Sequence, residues 1–352
     1  MLIIIKIKTF FIDIIKAQKN YSYTGDQTTW NIIRYLYYIS DGLLLKFIES
    51  FLIKKKNFFS RSFFKKNPTY KILNKINEDK LEVLRKEILE IKTATGKNKE
   101  SLRFVDNNSK NLNSLDFNYY EKKKIIRLNF DNGQLIQNVK IASFIKDFLS
   151  LDFIKTIEDF SGCKLHLMGI NSWLTLPIPS EQIQISSSNY DSMTSIYDAQ
   201  QWHRDCDNFR DIKIFIYLTD VNKESDGCFQ IINNSNNFSF FSPFKYYNYK
   251  SLRVPNKIIT NKYKLSIHSF FGNKGTCFIA DTRALHRGLA ITQKKQVRFI
   301  LELYFSNHLL GKDKKLEIKT EHASFDIWKE MVNKNYELFS TVFKKETLIN
   351  FK

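Results

Sequence analysis

From Lys164 onward the hydrophobic pattern of this chain comes in short pieces with a period near two. "KLHLMGINSWLTL", "DIKIFIYLTDV", "GCFQIIN", "GTCFIAD" and "QVRFILELYF" are rich in Ile, Phe, Val and Tyr, and Gly, Asn, Asp or Pro bound them. β-Branched and aromatic residues suit a pleated surface, and alternation sends successive side chains to opposite faces. Five or more such strands with no long helix between them restrict this region to an antiparallel sandwich or barrel.

Helical spacing dominates before that point. "DGLLLKFIESFLIKKK" is apolar at helical intervals with a basic end. Leu81, Leu84, Ile88 and Ile91 form a second stripe, with acidic residues early and Gly96 beyond its end, the polarity that helix termini prefer. From Ala94 to Lys124 the sequence turns polar and offers the best linker or boundary. Ile141, Phe144, Ile145, Phe148 and Leu149 then follow the i, i+3, i+4, i+7, i+8 rule of a core-facing helix, and Ile154 and Ile157 continue on a shorter one ending near Gly162. After the strands, "FDIWKEMVNKNYELF" returns to helix. The expected architecture is α+β, with a helical N-terminal extension over 1–115, a β-rich core with supporting helices over 116–310 and a helical segment over 311–352.

Composition narrows the class. The chain has 352 residues, 43% hydrophobic and 26% charged, which suits a soluble globular protein with a sizeable core. Its net charge is +19, but the excess of Lys, Asn, Ile and Phe is spread over the whole sequence. No compact Lys/Arg tract is interleaved with aromatics, so the charge reads as a solvated basic surface rather than a nucleic-acid footprint. The cysteines Cys163, Cys206, Cys228 and Cys277 form no CxxC pair, against a disulfide framework or a zinc knuckle and in favour of reduced thiols in the cytoplasm. The opening "MLIIIKIKTFFIDIIK" is interrupted by Lys6, Lys8 and Asp13. It lacks both the run of a spanning helix and a cleavable signal, and a buried strand or helix is expected there.

Chemistry concentrates around three histidine and carboxylate positions and one arginine. In "QWHRDCDNF", His203 and Asp205 stand two apart, which on a strand sends both to one face. His286, in "DTRALHRGLA", directly follows the strand "TCFIAD", and Arg298 lies 12 residues on inside the next strand. An even separation lets Arg298 share a face with His286 if a simple hairpin joins them. Arg298 falls on the alternate with Ile300, Glu302 and Tyr304, opposite the apolar Val297, Phe299, Leu301 and Leu303. Two histidines and one carboxylate make the facial triad of non-haem iron(II) oxygenases, which leaves metal positions open. An arginine nearby supplies a planar two-pronged partner for a dicarboxylate. A His-x-Asp pair alone says little; the distal histidine and the arginine carry the reading.

The stretch from about Ile125 to Asn307 resembles the phytanoyl-CoA dioxygenase family of iron(II)/2-oxoglutarate oxygenases. The matching pieces are "QWHRD", "IKIFIYLTDVNKESDGCFQII", "GNKGTCFIADTRALHRG" and "VRFILELYF", in family order. The resemblance implies a double-stranded β-helix (jelly-roll or cupin-like) core, with His203, Asp205 and His286 as ligands to Fe(II) and Arg298 as the residue that binds 2-oxoglutarate. It implies hydroxylation of a small organic molecule, with 2-oxoglutarate decarboxylated to succinate and CO2 and ascorbate as a reductant. Asp205 favours hydroxylation, because related halogenases put a small residue there. The chain departs from the family in having "NNSNN" after "GCFQII" and Gly288 two residues past the distal histidine, which touches substrate details but removes no ligand.

Other polar residues have plainer readings. His166 suits a strand face, His268 a loop, and His308 and His322 the periphery. Trp202 and Cys206 alternate off the His203 face. Asn171 and Lys213 stand within reach of the cosubstrate from neighbouring strands, while Arg283 and Arg287 face either an anionic substrate or solvent. The aromatic segment from Asn233 to Phe270 suits a lid or substrate wall. Two other functions rank lower: a non-catalytic β-helix scaffold, and an oxygenase acting on nucleic acid, against which Tyr304 stands where a second arginine is usual.

Overall fold

A computed structural model describes residues 68–95, 98–106, 111–178, 200–205, 210–236, 254, 256, 259, 261, 264–306, 316–339 and 341–351. The helix expected in "DGLLLKFIESFLIKKK", the apolar opening, Cys206, His308 and most of the proposed lid lie outside these residues.

The described strands are β1 (Tyr70–Ile72), β2 (Thr93–Thr95), β3 (Asn98–Glu100), β4 (Arg127–Phe130), β5 (His166–Thr175), β6 (Asp211–Tyr217), β7 (Phe229–Ile232), β8 (Ile267–Phe270), β9 (Cys277–Asp281), β10 (His286–Gly288) and β11 (Arg298–Ser306). Eight form a main antiparallel sheet in the order β1-β9-β6-β11-β5-β4-β2-β3, and three form a minor one, β10-β7-β8. The helices are α1 (Glu78–Leu89), α2 (Phe117–Lys122), α3 (Asn132–Gln137), α4 (Val139–Phe148), α5 (Leu151–Ser161), α6 (Phe325–Lys334), α7 (Tyr336–Phe339) and α8 (Lys345–Phe351).

Period-two alternation explains the layering. On β6 and β11, Ile212, Ile214, Ile216, Leu301, Leu303 and Phe305 join the helices in one core, which also takes Leu81, Ile88, Ile141, Trp328 and Phe351. The opposite alternates, Phe215, Tyr217 and Ile300, meet Phe278 and Ala280 of β9 and then Phe229, Ile231 and Phe270 of the minor sheet. The molecule is therefore helices, main sheet, minor sheet. Aromatic rings fill the gap between the sheets: Phe270 stacks on Phe278 with centroids 4.0 Å apart, and Phe215 meets Phe229 at 4.8 Å. Each such pair adds about 0.5–1.5 kcal/mol beyond the area it buries. A polar row shares that inner face, and the functional groups stand on it.

Local signals fix the helices. Asn77 caps α1 by accepting from the Asp79 amide at 2.8 Å. Gly162 ends α5 with φ 77°, a left-handed conformation that glycine adopts without strain. The expected stripes are found: Leu81, Leu84 and Ile88 are buried on α1, and Ile141 and Ile145 on α4. No helix among the described residues is long and apolar enough to cross a membrane.

Two expectations need correction. The polar stretch 94–124 is no linker: its described part carries a β2–β3 hairpin and α2, and Leu102, Leu112, Leu115 and Tyr120 are buried in the helix-side core. A few well-placed apolar side chains anchor it despite its polar average. The stretch before residue 115, expected as a helical extension, also supplies strands to the main sheet: β1 pairs with β9 at one edge, and β2 pairs with β4 near the other.

Candidate metal centre

His203 and His286 meet as a narrow antiparallel pair outside the named ladders. The His203 amide donates to the His286 carbonyl at 3.0 Å, and the His286 amide returns the bond at 2.9 Å. Directly opposed residues on adjacent strands send their side chains to the same side, and the two rings lie 4.2 Å apart. Asp205 comes to that side because it is two residues from His203, with its amide held by the Thr282 carbonyl at 2.8 Å. The residues that precede the two histidines, Trp202 and Leu285, join Ile232, Val254 and Ile259 in a separate apolar cluster.

The turn after β9 delivers His286. The Ala284 amide bonds to the Asp281 carbonyl at 3.0 Å, and the Leu285 amide donates to Ser235 Oγ at 2.8 Å. Asp281 holds the turn through its side chain as well, receiving both the Arg283 guanidinium and the Asn236 amide.

One ligand atom from each of His203, Asp205 and His286 lies within 4.8 Å of the others. His203 Nε2 is 3.8 Å from Asp205 Oδ1, and His286 Nε2 is 3.5 Å from Asp205 Oδ2. Each imidazole turns its other nitrogen to a backbone carbonyl: His203 Nδ1 to Gln201 at 2.7 Å and His286 Nδ1 to Ala284 at 2.9 Å. A carbonyl only accepts, so Nδ1 carries the proton in the neutral ring and Nε2 keeps its lone pair for a metal. These three side chains can hold one metal ion.

Lys213 is the immediate neighbour. Its Nζ lies 2.8 Å from Asp205 Oδ2 and 3.6 Å from Glu302 Oε2. Burial pushes the Asp205 carboxyl upward, but the Lys213 ammonium bonded to it, with His286 and His203 alongside, outweighs burial and holds the group below the ordinary carboxylate range. Asp205 is ionised, as a metal ligand must be.

Arg298 enters from the main sheet, not from a hairpin with β10. β10 belongs to the minor sheet and β11 to the main one, so the even spacing from His286 does not decide its direction. It faces the same gap because the inner alternates of both sheets look at each other. Arg298 is buried, Nη2 donates to Thr175 Oγ1 at 3.3 Å, and the guanidinium lies against Gly288.

The remaining polar residues sort out plainly. Asn171 donates to Glu302 Oε1 at 2.8 Å. Arg283 is spent on Asp281, and Arg287 stacks on Trp202 at 4.4 Å while donating to Gln230 and Asn256; both are buried rather than turned to solvent. His166 faces the Glu337 carbonyl, His268 stacks on Tyr70 at 4.3 Å, and His322 bonds Ser324. Cys163, Cys228 and Cys277 are buried cysteines outside any disulfide. Glu302 and Thr175 are the neighbours that sequence reasoning did not single out. Glu302 could have been found, since it shares the Arg298 alternate; nothing local marks Thr175.

No protein family's sequence pattern matches this chain, and no curated protein does. Among solved structures it is similar to HygX from Streptomyces hygroscopicus with nickel and 2-oxoglutarate bound, at TM-score 0.43 and 10% identity over 72% of this chain and 89% of that one. It is also similar to AviO1 from Streptomyces viridochromogenes Tue57, at 0.39 and 11% over 71% and 94%. A third is EctD from S. alaskensis with bound Fe, at 0.38 and 12% over 69% and 74%. Likeness this shallow decides neither chemistry nor substrate.

Proposed function

We propose that this chain is an iron(II)- and 2-oxoglutarate-dependent dioxygenase that hydroxylates a small organic molecule, on a double-stranded β-helix of the phytanoyl-CoA dioxygenase kind. The observation that carries the proposal is the convergence of His203, Asp205 and His286, both imidazoles having Nδ1 on a carbonyl and Nε2 turned inward. Two neutral imidazoles and one carboxylate suit ferrous iron and leave several of its positions to other ligands.

The donor set also suits the cosubstrate. Gly288 is two residues beyond His286 on β10, and two residues of strand span about 6.8 Å. The Arg298 guanidinium rests against Gly288, on the same short strand as His286, where it would meet the far carboxylate of a dicarboxylate held at the metal. A rigid two-pronged guanidinium with a hydroxyl beside it, Thr175 Oγ1, suits a terminal carboxylate better than a point charge would. Iron and 2-oxoglutarate, when bound, supply oxygen activation, with the keto acid lost as succinate and CO2. The chain's own part is to hold and orient. The two backbone-tied histidines fix the ligand directions, Arg298 sets the cosubstrate's far end, and the aromatic rings between the sheets limit water around both.

Anaerobic titration with Fe(II) and 2-oxoglutarate tests this. The expected result is the weak visible metal-to-ligand charge-transfer band at one equivalent, absent from His203→Ala and Asp205→Ala. A band that survives both substitutions rejects the ligand set, and its absence from the native protein rejects the cosubstrate.

A further inference from the structure

On the reading above the metal has three protein ligands, and we infer that Lys213 holds the number at three. Its ammonium stands between two carboxylates, 2.8 Å from Asp205 Oδ2 and 3.6 Å from Glu302 Oε2. It occupies the second oxygen of Asp205 and keeps Glu302 from reaching the ion. Lys213 is thus a positioning residue, and Glu302 is a fourth carboxylate-or-imidazole donor held in reserve beside a three-ligand site.

The arrangement follows from strand register. Lys213 lies opposite Tyr304, and Glu302 lies opposite Phe215 and, on its other side, opposite Asn171. All of these sit on inner alternates, so Lys213 and Glu302 are diagonal neighbours facing the metal ligands. Glu302 is restrained from the far side too. Asn171 Nδ2 donates to its Oε1 at 2.8 Å, and Asn171 Oδ1 accepts from Asn132 at the start of α3, also at 2.8 Å. Glu302 is 5% exposed, and a carboxylate that dry is drawn strongly to any divalent cation within reach. A chelating keto acid needs two adjacent metal positions and oxygen a third, so one extra protein ligand would block turnover. With its ammonium already between the two carboxylates, Lys213 offsets Glu302 and removes the incentive for it to move.

The test compares the full-length protein with Lys213→Met, Glu302→Gln, the double variant and Lys213→Arg. Two probes are used under anaerobic conditions: Co(II) alone, read by its visible ligand-field spectrum, and Fe(II) with 2-oxoglutarate, read by the charge-transfer band. Lys213→Met is expected to bind Co(II) with an altered spectrum of higher coordination number, and to weaken 2-oxoglutarate about 10-fold or more. Removing the competing carboxylate should reverse this, so the double variant returns to the native Co(II) spectrum and to within about 3-fold of native 2-oxoglutarate affinity. Lys213→Arg and Glu302→Gln should resemble the native protein in both readouts. A native-like Lys213→Met overturns the inference, and so does a double variant as weak as Lys213→Met. If Lys213→Met fails to fold, Glu302→Gln still decides: a loss of cosubstrate there means that Glu302 serves the site directly. The Co(II) comparison needs no 2-oxoglutarate, so it stands even if the native protein shows no charge-transfer band and the oxygenase reading fails.

Discussion

The Cα of Gly288 faces the guanidinium of Arg298 so closely that a β-carbon there would lie 2.7 Å from Nη2 and 3.0 Å from Nη1. Nothing about the glycine backbone demands this residue, since its φ is not left-handed. The constraint is the space that Arg298 occupies. A methyl group would displace the far end of a flexible side chain rather than the sheet, so Gly288→Ala is expected to fold normally. It should weaken 2-oxoglutarate about 10-fold or more, the cost of disturbing a charge-assisted two-pronged contact, while leaving metal affinity unchanged. Titrating the charge-transfer band against 2-oxoglutarate measures one quantity, and Co(II) binding measures the other. Equal losses in both would place the effect on the metal ligands instead.

A ligand held only by the folded site stabilises the fold by mass action. Free metal at 100 times its dissociation constant should add about 2.7 kcal/mol to stability, because the His203–His286 pairing and the Thr282–Asp205 bond that bring the three donors together belong to the folded chain. Thermal melts with and without added Co(II), after chelation, should show the difference. His203→Ala should abolish the metal-dependent part of the shift. A shift that persists in that variant would mean that the stabilising ion sits elsewhere.

Asp281 ties down the turn that carries His286. Burial pushes its carboxyl upward, yet the charge and hydrogen bonds of Arg283, the amide of Asn236 and the charge of Arg210 hold it below the ordinary carboxylate range. The folded state therefore binds a proton more weakly than the unfolded chain does. The stabilisation is complete above the unfolded value, about 4, and is lost as pH falls through the folded one. Asp281→Asn keeps the shape but leaves the buried Arg283 charge without its counter-charge, which costs about 3–5 kcal/mol at neutral pH. Denaturant melts across pH should show this loss, together with a flatter acid limb than the native protein's. A loss under 1 kcal/mol would mean that water reaches the pair.

Much of this geometry was legible from residue spacing. Alternation within "IKIFIYL" and "RFILELYF" assigns the inner and outer faces correctly, and His203 and Asp205 share a side for the reason that their spacing gives. The short strands β1, β2 and β3 were not legible, because three residues are too few to show a period and only their partners make them strands. The counting argument from His286 to Arg298 failed for a related reason. It assumed one sheet, whereas the chain crosses from the minor sheet to the main one between them. Lys213 was legible as a cation near the centre but not as a partner of Asp205, since strand register is a property of the assembled sheet and not of either strand alone.

Tyr217 joins the two sheets whose separation makes room for the site. Its hydroxyl donates to the Phe270 carbonyl at 3.0 Å and accepts from the Phe229 amide at 3.1 Å. Phe270 and Phe229 belong to the minor sheet and Tyr217 to the main one. Burial pushes this phenol well above the ordinary tyrosine range, so it stays protonated and able to donate throughout the pH range in which the protein folds. Tyr217→Phe keeps the packing but deprives a buried amide and a buried carbonyl of one partner, at a cost of about 1–3 kcal/mol. Because β7 pairs directly with β10, the loosened contact should also raise amide hydrogen exchange at Phe229 and at His286. Hydrogen exchange by mass spectrometry separates this from a uniform loss of stability: faster exchange confined to β7, β8 and β10 supports the bridge, and an even increase over both sheets refutes it.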